Sequence, residues 1–172
     1  MTIDLERLIP TVADFPVPGV LFRDITPLLA DHEGFQEAVR RMCEPWRGER
    51  VELITAMEAR GFMFAAPMAL ELGCGFVPMR KAGKLPRRTR SVQYALEYRK
   101  DTLHIHEDAI RPGQRVLIVD DVLASGGTAA AVVELLTEMK ADILGLEFLI
   151  ELRDLGGRSL LGTHRIHSEI TF

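Results

Sequence analysis

Two adjacent carboxylates, Asp120 and Asp121, stand between an apolar run and a loop of small residues, Ser125-Gly126-Gly127-Thr128. Neighbouring acids can accept hydrogen bonds from a cis-diol and offset positive charge that develops on a sugar ring. Glycines let the backbone turn its N–H groups inward, and a following helix N-terminus adds about half a positive charge toward a dianion. The hydroxyls of Ser125 and Thr128 can donate further hydrogen bonds. One ligand would satisfy all of these groups, a sugar carrying both hydroxyls and a phosphate. The plain alternative needs no ligand: an Asp-Asp turn closing a strand and a Gly-Gly turn before a helix.

The flanking elements support the first reading. Val116-Leu117-Ile118-Val119 suits a strand buried on both faces of a parallel sheet. The acidic pair then falls at its carboxyl end, where open α/β sheets bind ligands. Ala129 to Lys140 is rich in helix formers, so the order is strand, acidic pair, glycine loop, helix. Neither Gly-x-x-x-x-Gly-Lys-Ser/Thr nor Gly-x-Gly-x-x-Gly occurs.

Taken whole, Val116 to Thr128 resembles the phosphoribosyl-pyrophosphate (PRPP) signature of the type I phosphoribosyltransferases. The resemblance implies that Asp120 and Asp121 hold the ribose, with Asp121 counted as catalytic, and that Ala124, Ser125, Gly126, Gly127 and Thr128 grip the 5′-phosphate. Upstream, the stretch from Phe15 to Pro27, Phe-Pro-x-Pro-Gly-Val-x-Phe-Arg-Asp-Ile-x-Pro, looks like the N-terminal signature of adenine phosphoribosyltransferases. Its prolines predict an extended or turned loop, and residues 1–30 become a lid on the base. There Phe22 would stack on adenine, Val20 and Leu21 would offer backbone contacts, Arg23 would support the pocket, and Leu152 would pack on the opposite face. From composition alone, Phe22 reads as a core residue and Arg23 as the partner of Asp24.

A second strand-to-helix junction follows: a strand at Val51–Met57, a turn over Glu58-Ala59-Arg60-Gly61-Phe62, and a helix to Leu72 stopped near Gly73. Arg60 by itself reads as a surface arginine; the Ala-Arg-Gly-Phe form resembles the family's pyrophosphate loop, where many relatives have Asp-Ser in place of Glu58-Ala59. Past a strand at Gly75–Met79, the segment from Arg80 to Arg90 holds six basic residues and no acid. It reads as a loop, either solvated or an anion site. The resemblance picks Arg80, Lys81 and Lys84 for pyrophosphate and leaves Arg87, Arg88 and Arg90 as weaker candidates.

Tyr94–Tyr98 and Thr102–His106 predict a hairpin, so that residues 80–106 form a flexible loop and hairpin able to exclude water. The family's Tyr-x-Leu-Glu-Tyr-Gly is matched through Tyr98, with Arg99 replacing the glycine. Glu97 is then the candidate for purine proton handling and Tyr98 for closing over the reaction centre. His104 and His106 share a strand face, which reads as surface rather than as metal ligands.

The rest of the chain reads as scaffold: a short helix at 4–9, an amphipathic helix from Asp31 to Trp46 and a strand at Ile143–Ile150, with Asp154 to Phe172 unassigned. At 172 residues, 47% apolar and 27% charged, it suits one domain. A net charge of −4 and no run of about twenty apolar residues exclude general nucleic-acid or membrane affinity. Cys43 and Cys74 lack metal-type spacing and read as free thiols in a reducing cytoplasm. The expected fold is α/β, with a mostly parallel central sheet flanked by helices, a small N-terminal lid and a flexible loop. The resemblance implies a homodimer that converts adenine and PRPP into AMP and pyrophosphate in purine salvage. Mg²⁺ would be held through PRPP or pyrophosphate and not directly by protein. Alternatives are a xanthine or hypoxanthine/guanine phosphoribosyltransferase, or a non-catalytic PRPP-sensing regulator.

Overall fold

The computed structural model describes residues 3–96 and 99–172, with the backbone alone at 95, 96, 99 and 100. A short hairpin of β1 (Thr11–Ala13) and β2 (Leu21–Arg23) comes first, then α1 (Thr26–Ala30) and α2 (His32–Cys43). Next are β3 (Leu53–Met57), α3 (Gly61–Leu72) and β4 (Gly75–Lys81), followed by a hairpin of β5 (Thr89–Leu96) and β6 (Arg99–His106). The remainder is β7 (Arg115–Leu123), α4 (Gly127–Glu138), β8 (Asp142–Glu151) and β9 (Ile166–Thr171). Seven strands join in the order β5-β6-β4-β3-β7-β8-β9, parallel from β4 to β9 and antiparallel at the β5-β6 edge.

The centre of this sheet is where the sequence is most apolar. Val116, Leu117, Ile118 and Val119 are fully buried. Leu117 and Val119 face the core under α1, α2 and α3, whereas Val116 and Ile118 face the core under α4. A run of four consecutive apolar residues is what a sheet covered on both faces requires. On α2, Asp31 caps the helix by accepting the Gly34 N–H at 2.7 Å, and Ala38, Val39, Met42 and Cys43 form its buried stripe. The expected helix from Asp31 to Trp46 is therefore α2 plus a 3-10 turn at Glu44–Trp46.

Four parts add to or differ from the sequence expectation. The proline-rich stretch is the connection of the β1-β2 hairpin, with Val12 paired to Phe22. The basic segment is not all loop: Arg80 and Lys81 close β4, and Thr89 and Arg90 open β5. The hairpin is correspondingly longer than predicted, pairing Thr89 with His106 at one end and Leu96 with Arg99 at the other. The unassigned tail supplies β9, an edge strand parallel to β8.

Beneath the β8-β9 edge lies a buried polar group. Trp46 Nε1 donates to Glu147 Oε2 at 2.7 Å, and His167 Nδ1 lies 3.0 Å from both carboxylate oxygens. Burial pushes the Glu147 carboxyl up to about 7, and hydrogen bonding to Glu147 raises His167 above its ordinary value. Both groups hold protons longer in the folded chain than in the unfolded one, so each loses stabilising contribution as pH rises. The stability difference between this protein and its Glu147→Gln variant is expected to shrink from pH 4.5 to about 7 and beyond. Melting temperatures of both proteins across that range test it; a constant difference would mean the pair does not titrate there.

Candidate active site

A cleft of about 290 Å³ opens at the carboxyl ends of β3 and β7. It exists because the two strands part company: their pairing stops at Ala56 with Val119, while β7 stays paired to β8 as far as Leu123. Asp120 and Asp121 stand just past that divergence. They sit inside β7 and do not end it, which refines the sequence expectation of a pair at the strand's last turn. Ala124, Ser125 and Gly126 then curl into the start of α4, and Gly127 and Thr128 complete the wall.

The opposite wall is the turn after β3, Glu58-Ala59-Arg60. Arg60 Nε bonds Asp121 Oδ2 at 2.8 Å across the cleft. Gly61 lets the Asp120 carboxyl lie against this turn, since a methyl group there would stand 2.8 Å from Asp120 Oδ1. The Arg60 guanidinium also lies 5.4 Å from the ring centre of Phe22, which connects the β1-β2 hairpin to the acidic pair. Phe22 in turn meets Phe15 edge-on at 4.9 Å.

Burial dominates the electrostatics. It pushes the Asp120 carboxyl well above the carboxylate range, with the Asp121 charge adding to the effect. Asp121 is raised as well, again by burial, with the Arg60 charge pulling the other way. Glu58 behaves oppositely. It accepts from Arg80 Nε at 3.2 Å and from the Lys81 backbone N–H at 2.8 Å, and these bonds hold its carboxyl below the usual value. Lys81 Nζ is paired with Asp101 at 3.2 Å. The cleft thus has a glycine loop leading into α4 on one side, a carboxylate pair at its floor and the cations Arg80 and Lys81 beyond Glu58.

A family model described as "Phosphoribosyl transferase domain" matches residues 29–158. An adenine phosphoribosyltransferase of Thermotoga petrophila is 51% identical over 98% of this chain and 99% of its own. The chain belongs to the adenine phosphoribosyltransferase family. Among solved phosphoribosyltransferases, the Thermoanaerobacter pseudethanolicus enzyme has a TM-score of 0.94 at 46% identity, covering 98% of both chains. The Saccharomyces cerevisiae enzyme, solved with adenine and an imino-altritol bisphosphate, has a TM-score of 0.90 at 37% identity, covering 96% of both. The type I phosphoribosyltransferase fold expected from sequence is the fold observed.

Within this phosphoribosyltransferase frame, Asp120, Asp121, Ala124, Ser125, Gly126, Gly127, Thr128 and Arg60 all line one cleft. Arg80 and Lys81 stand behind Glu58, and Lys84 is exposed in the turn after β4. Arg87 pairs with Asp108, and Arg88 with Glu107 at 3.2 Å, so these two basic residues serve the far end of the hairpin. Glu97 and Tyr98 lie outside the described residues. In the N-terminal hairpin, Val20 uses its N–H and C=O within the connection, and Leu21 is largely exposed. Arg23 does not pair with Asp24; it donates to Thr11 Oγ1 and stacks 3.7 Å from the Phe172 ring centre. Asp24 instead accepts from the Thr26 N–H and hydroxyl. Leu152 follows β8 directly and ties it to β7, its N–H donating to the Leu123 carbonyl at 2.9 Å. His104 Nδ1 lies 3.1 Å from Thr89 Oγ1, a cross-strand contact of the hairpin.

Sequence reasoning missed Glu58 as a site residue because it noticed only the departure from Asp-Ser. It also gave Tyr94 no place in the cleft, although Tyr94 lines it. The signal for Glu58 was available: a lone acid before a glycine turn, ahead of a segment with six bases.

Proposed function

We propose that this enzyme transfers the 5-phosphoribosyl group of PRPP to adenine, giving AMP and pyrophosphate. The observation that carries the reading is the cleft that brings Arg60, Asp121 and the 124–128 loop together, with the Phe22 ring centre 5.4 Å from the Arg60 guanidinium. It sets carboxylates for a ribose diol beside a loop for a phosphate, with a cation for pyrophosphate on the facing wall and an aromatic ring for a base near that cation. Support comes also from the yeast relative, which was solved with adenine and a bisphosphate.

In this mechanism pyrophosphate leaves the anomeric carbon and the purine nitrogen attacks from the opposite face. Asp120 and Asp121 accept from the ribose hydroxyls and offset charge on the oxocarbenium-like ring. Ala124, Ser125, Gly126, Gly127 and Thr128 fix the 5′-phosphate at the start of α4. Arg60, Arg80, Lys81 and Lys84 receive pyrophosphate, with Glu58 holding Arg80 in place between turnovers. In this reading Val20, Leu21, Phe22, Arg23 and Leu152 are assigned to adenine, Glu97 to the purine proton and Tyr98 to catalysis. Mg²⁺ would be carried on PRPP or pyrophosphate oxygens and not bound directly by the protein, leaving Asp120 and Asp121 to the ribose hydroxyls. When bound, Mg²⁺ supplies charge neutralisation to the departing pyrophosphate. Two free thiols, Cys43 and Cys74, support a reducing compartment such as the cytoplasm.

Incubation with PRPP and Mg²⁺ alongside adenine, hypoxanthine, guanine or xanthine tests the reading, and AMP from adenine is the expected product. Phe22→Ala should raise KM for adenine about 10-fold, since stacking on a base contributes roughly 1–3 kcal/mol, and should leave KM for PRPP unchanged. Turnover of another base instead would overturn the pocket. PRPP binding without any turnover would indicate a sensor on the same fold.

A further inference from the structure

The 124–128 loop does not hold its shape alone. Behind it lies a segment from the chain's last third, and the contact is backbone against backbone. Gly126 has φ +83°, and a methyl group on it would stand 2.4 Å from the Gly157 carbonyl oxygen. A methyl group on Gly157 would stand 2.2 Å from the Ala124 carbonyl oxygen and 2.9 Å from Leu123 Cδ1. Both glycines are buried, so neither surface can retreat into solvent.

Gly157 is itself pinned. The adjacent Arg158 grips Glu151 with two bonds of 2.7 Å, from Nε and from one terminal nitrogen. Its other terminal nitrogen donates to the Ile166 carbonyl at 3.2 Å. Glu151 is 5% exposed, and bonding to Arg158 holds its carboxyl below the ordinary value. On the far side, Leu161 is buried in the core shared with α4. Residues 157–161 are therefore fixed to β8, to β9 and to the helix that the loop begins.

We propose that Gly157, held by the Arg158–Glu151 ion pair, is a positioning residue for phosphate binding: its bare backbone sets the curvature of the 124–128 loop. The inference builds on the assignment of that loop to the 5′-phosphate. A side chain at 157 would have to move the loop by about 1 Å, a misplacement that can weaken a preorganised site by up to about 10²-fold. The loss falls on ligands that carry the phosphate and spares the base alone.

The test compares Gly157→Ala, Arg158→Ala, Thr128→Ala and the exposed-site control Leu160→Ala, measuring AMP, ribose 5-phosphate and adenine binding together with thermal stability. Gly157→Ala is expected to weaken AMP and ribose 5-phosphate about 10- to 100-fold with adenine binding unchanged. Arg158→Ala, which adds no bulk, should give a smaller loss of the same selectivity, partly restored in Arg158→Lys; it also covers the case in which Gly157→Ala fails to fold. A uniform loss of all three ligands, tracking lost folded protein, would assign residue 157 to stability alone and overturn the proposal. So would weakened phosphate binding in Thr128→Ala with none in the 157 and 158 variants. If Thr128→Ala is also without effect, the phosphate assignment of the loop falls, and the positioning role with it.

Discussion

Asp120→Asn and Asp121→Asn are each expected to lower kcat/KM for PRPP by about 10²- to 10³-fold, the scale of removing one preorganised charge-stabilising group. Asparagine keeps the shape and one acceptor oxygen, so what is lost is charge. At 121 that charge also fixes Arg60, whose Nε lies 2.8 Å away. The ion pair itself stabilises the fold modestly, because Arg60 is 43% exposed and water screens it. Stability should even move the other way from activity. Burial raises both carboxyls, so the folded protein binds their protons more tightly than the unfolded chain does. The native state is therefore penalised as pH rises past the ordinary carboxylate range, and an asparagine escapes the penalty. At pH 8 the Asp120→Asn protein should melt no lower than the parent while turning over far more slowly. An unchanged kcat/KM in both variants would remove the pair from the mechanism.

Trp46→Ala should destabilise the fold by about 3–5 kcal/mol, the range for deleting a large buried aromatic. Trp46 has no exposure, and its ring fits where β8 has no side chain: a methyl group on Gly145 would lie 2.5 Å from Trp46 Cη2. The Arg165 guanidinium covers the ring at 4.5 Å, and the indole N–H satisfies Glu147. Truncation therefore opens a cavity and leaves a buried carboxyl with one partner fewer. For a chain of this size the loss corresponds to roughly 6–20 °C in Tm. Denaturant unfolding checks it, with Trp46→Phe expected in between because it keeps most of the packing. Trp46 does not line the cleft, so KM for PRPP in the cold should hold. A Tm within a degree of the parent would show that β8 and α2 close over the gap.

What the sequence disclosed was local. The buried run of β7, its acids and its glycine loop are consecutive, so periodicity and residue type sufficed. The helix from Asp31 carried its cap and stripe on its face. The parts that stayed hidden depend on partners far along the chain. Whether the basic segment is an anion site or solvated stayed open in the sequence, because Asp101, Asp108 and Glu107, which pair with Lys81, Arg87 and Arg88, come from β6 and the turn after it. Strand β9 alternates weakly and is recognisable only beside β8. Composition alone pairs Arg23 with its neighbour Asp24, yet it reaches Phe172 at the other end of the chain. Gly157 looks like any turn residue until the loop it supports is in place.

The central seam of the sheet has a consequence for how the enzyme comes into being. Leu53 pairs with Val116, so the join between β3 and β7 waits on closure of a very long loop, with β4 and the hairpin laid out inside it. Loop closure has to precede the contacts that reward it, and parallel seams of this kind form slowly. Arg60 meets Asp121 only across that seam. The cleft that carries the chemistry therefore forms no earlier than that seam, and activity is expected to return with the slowest phase of refolding.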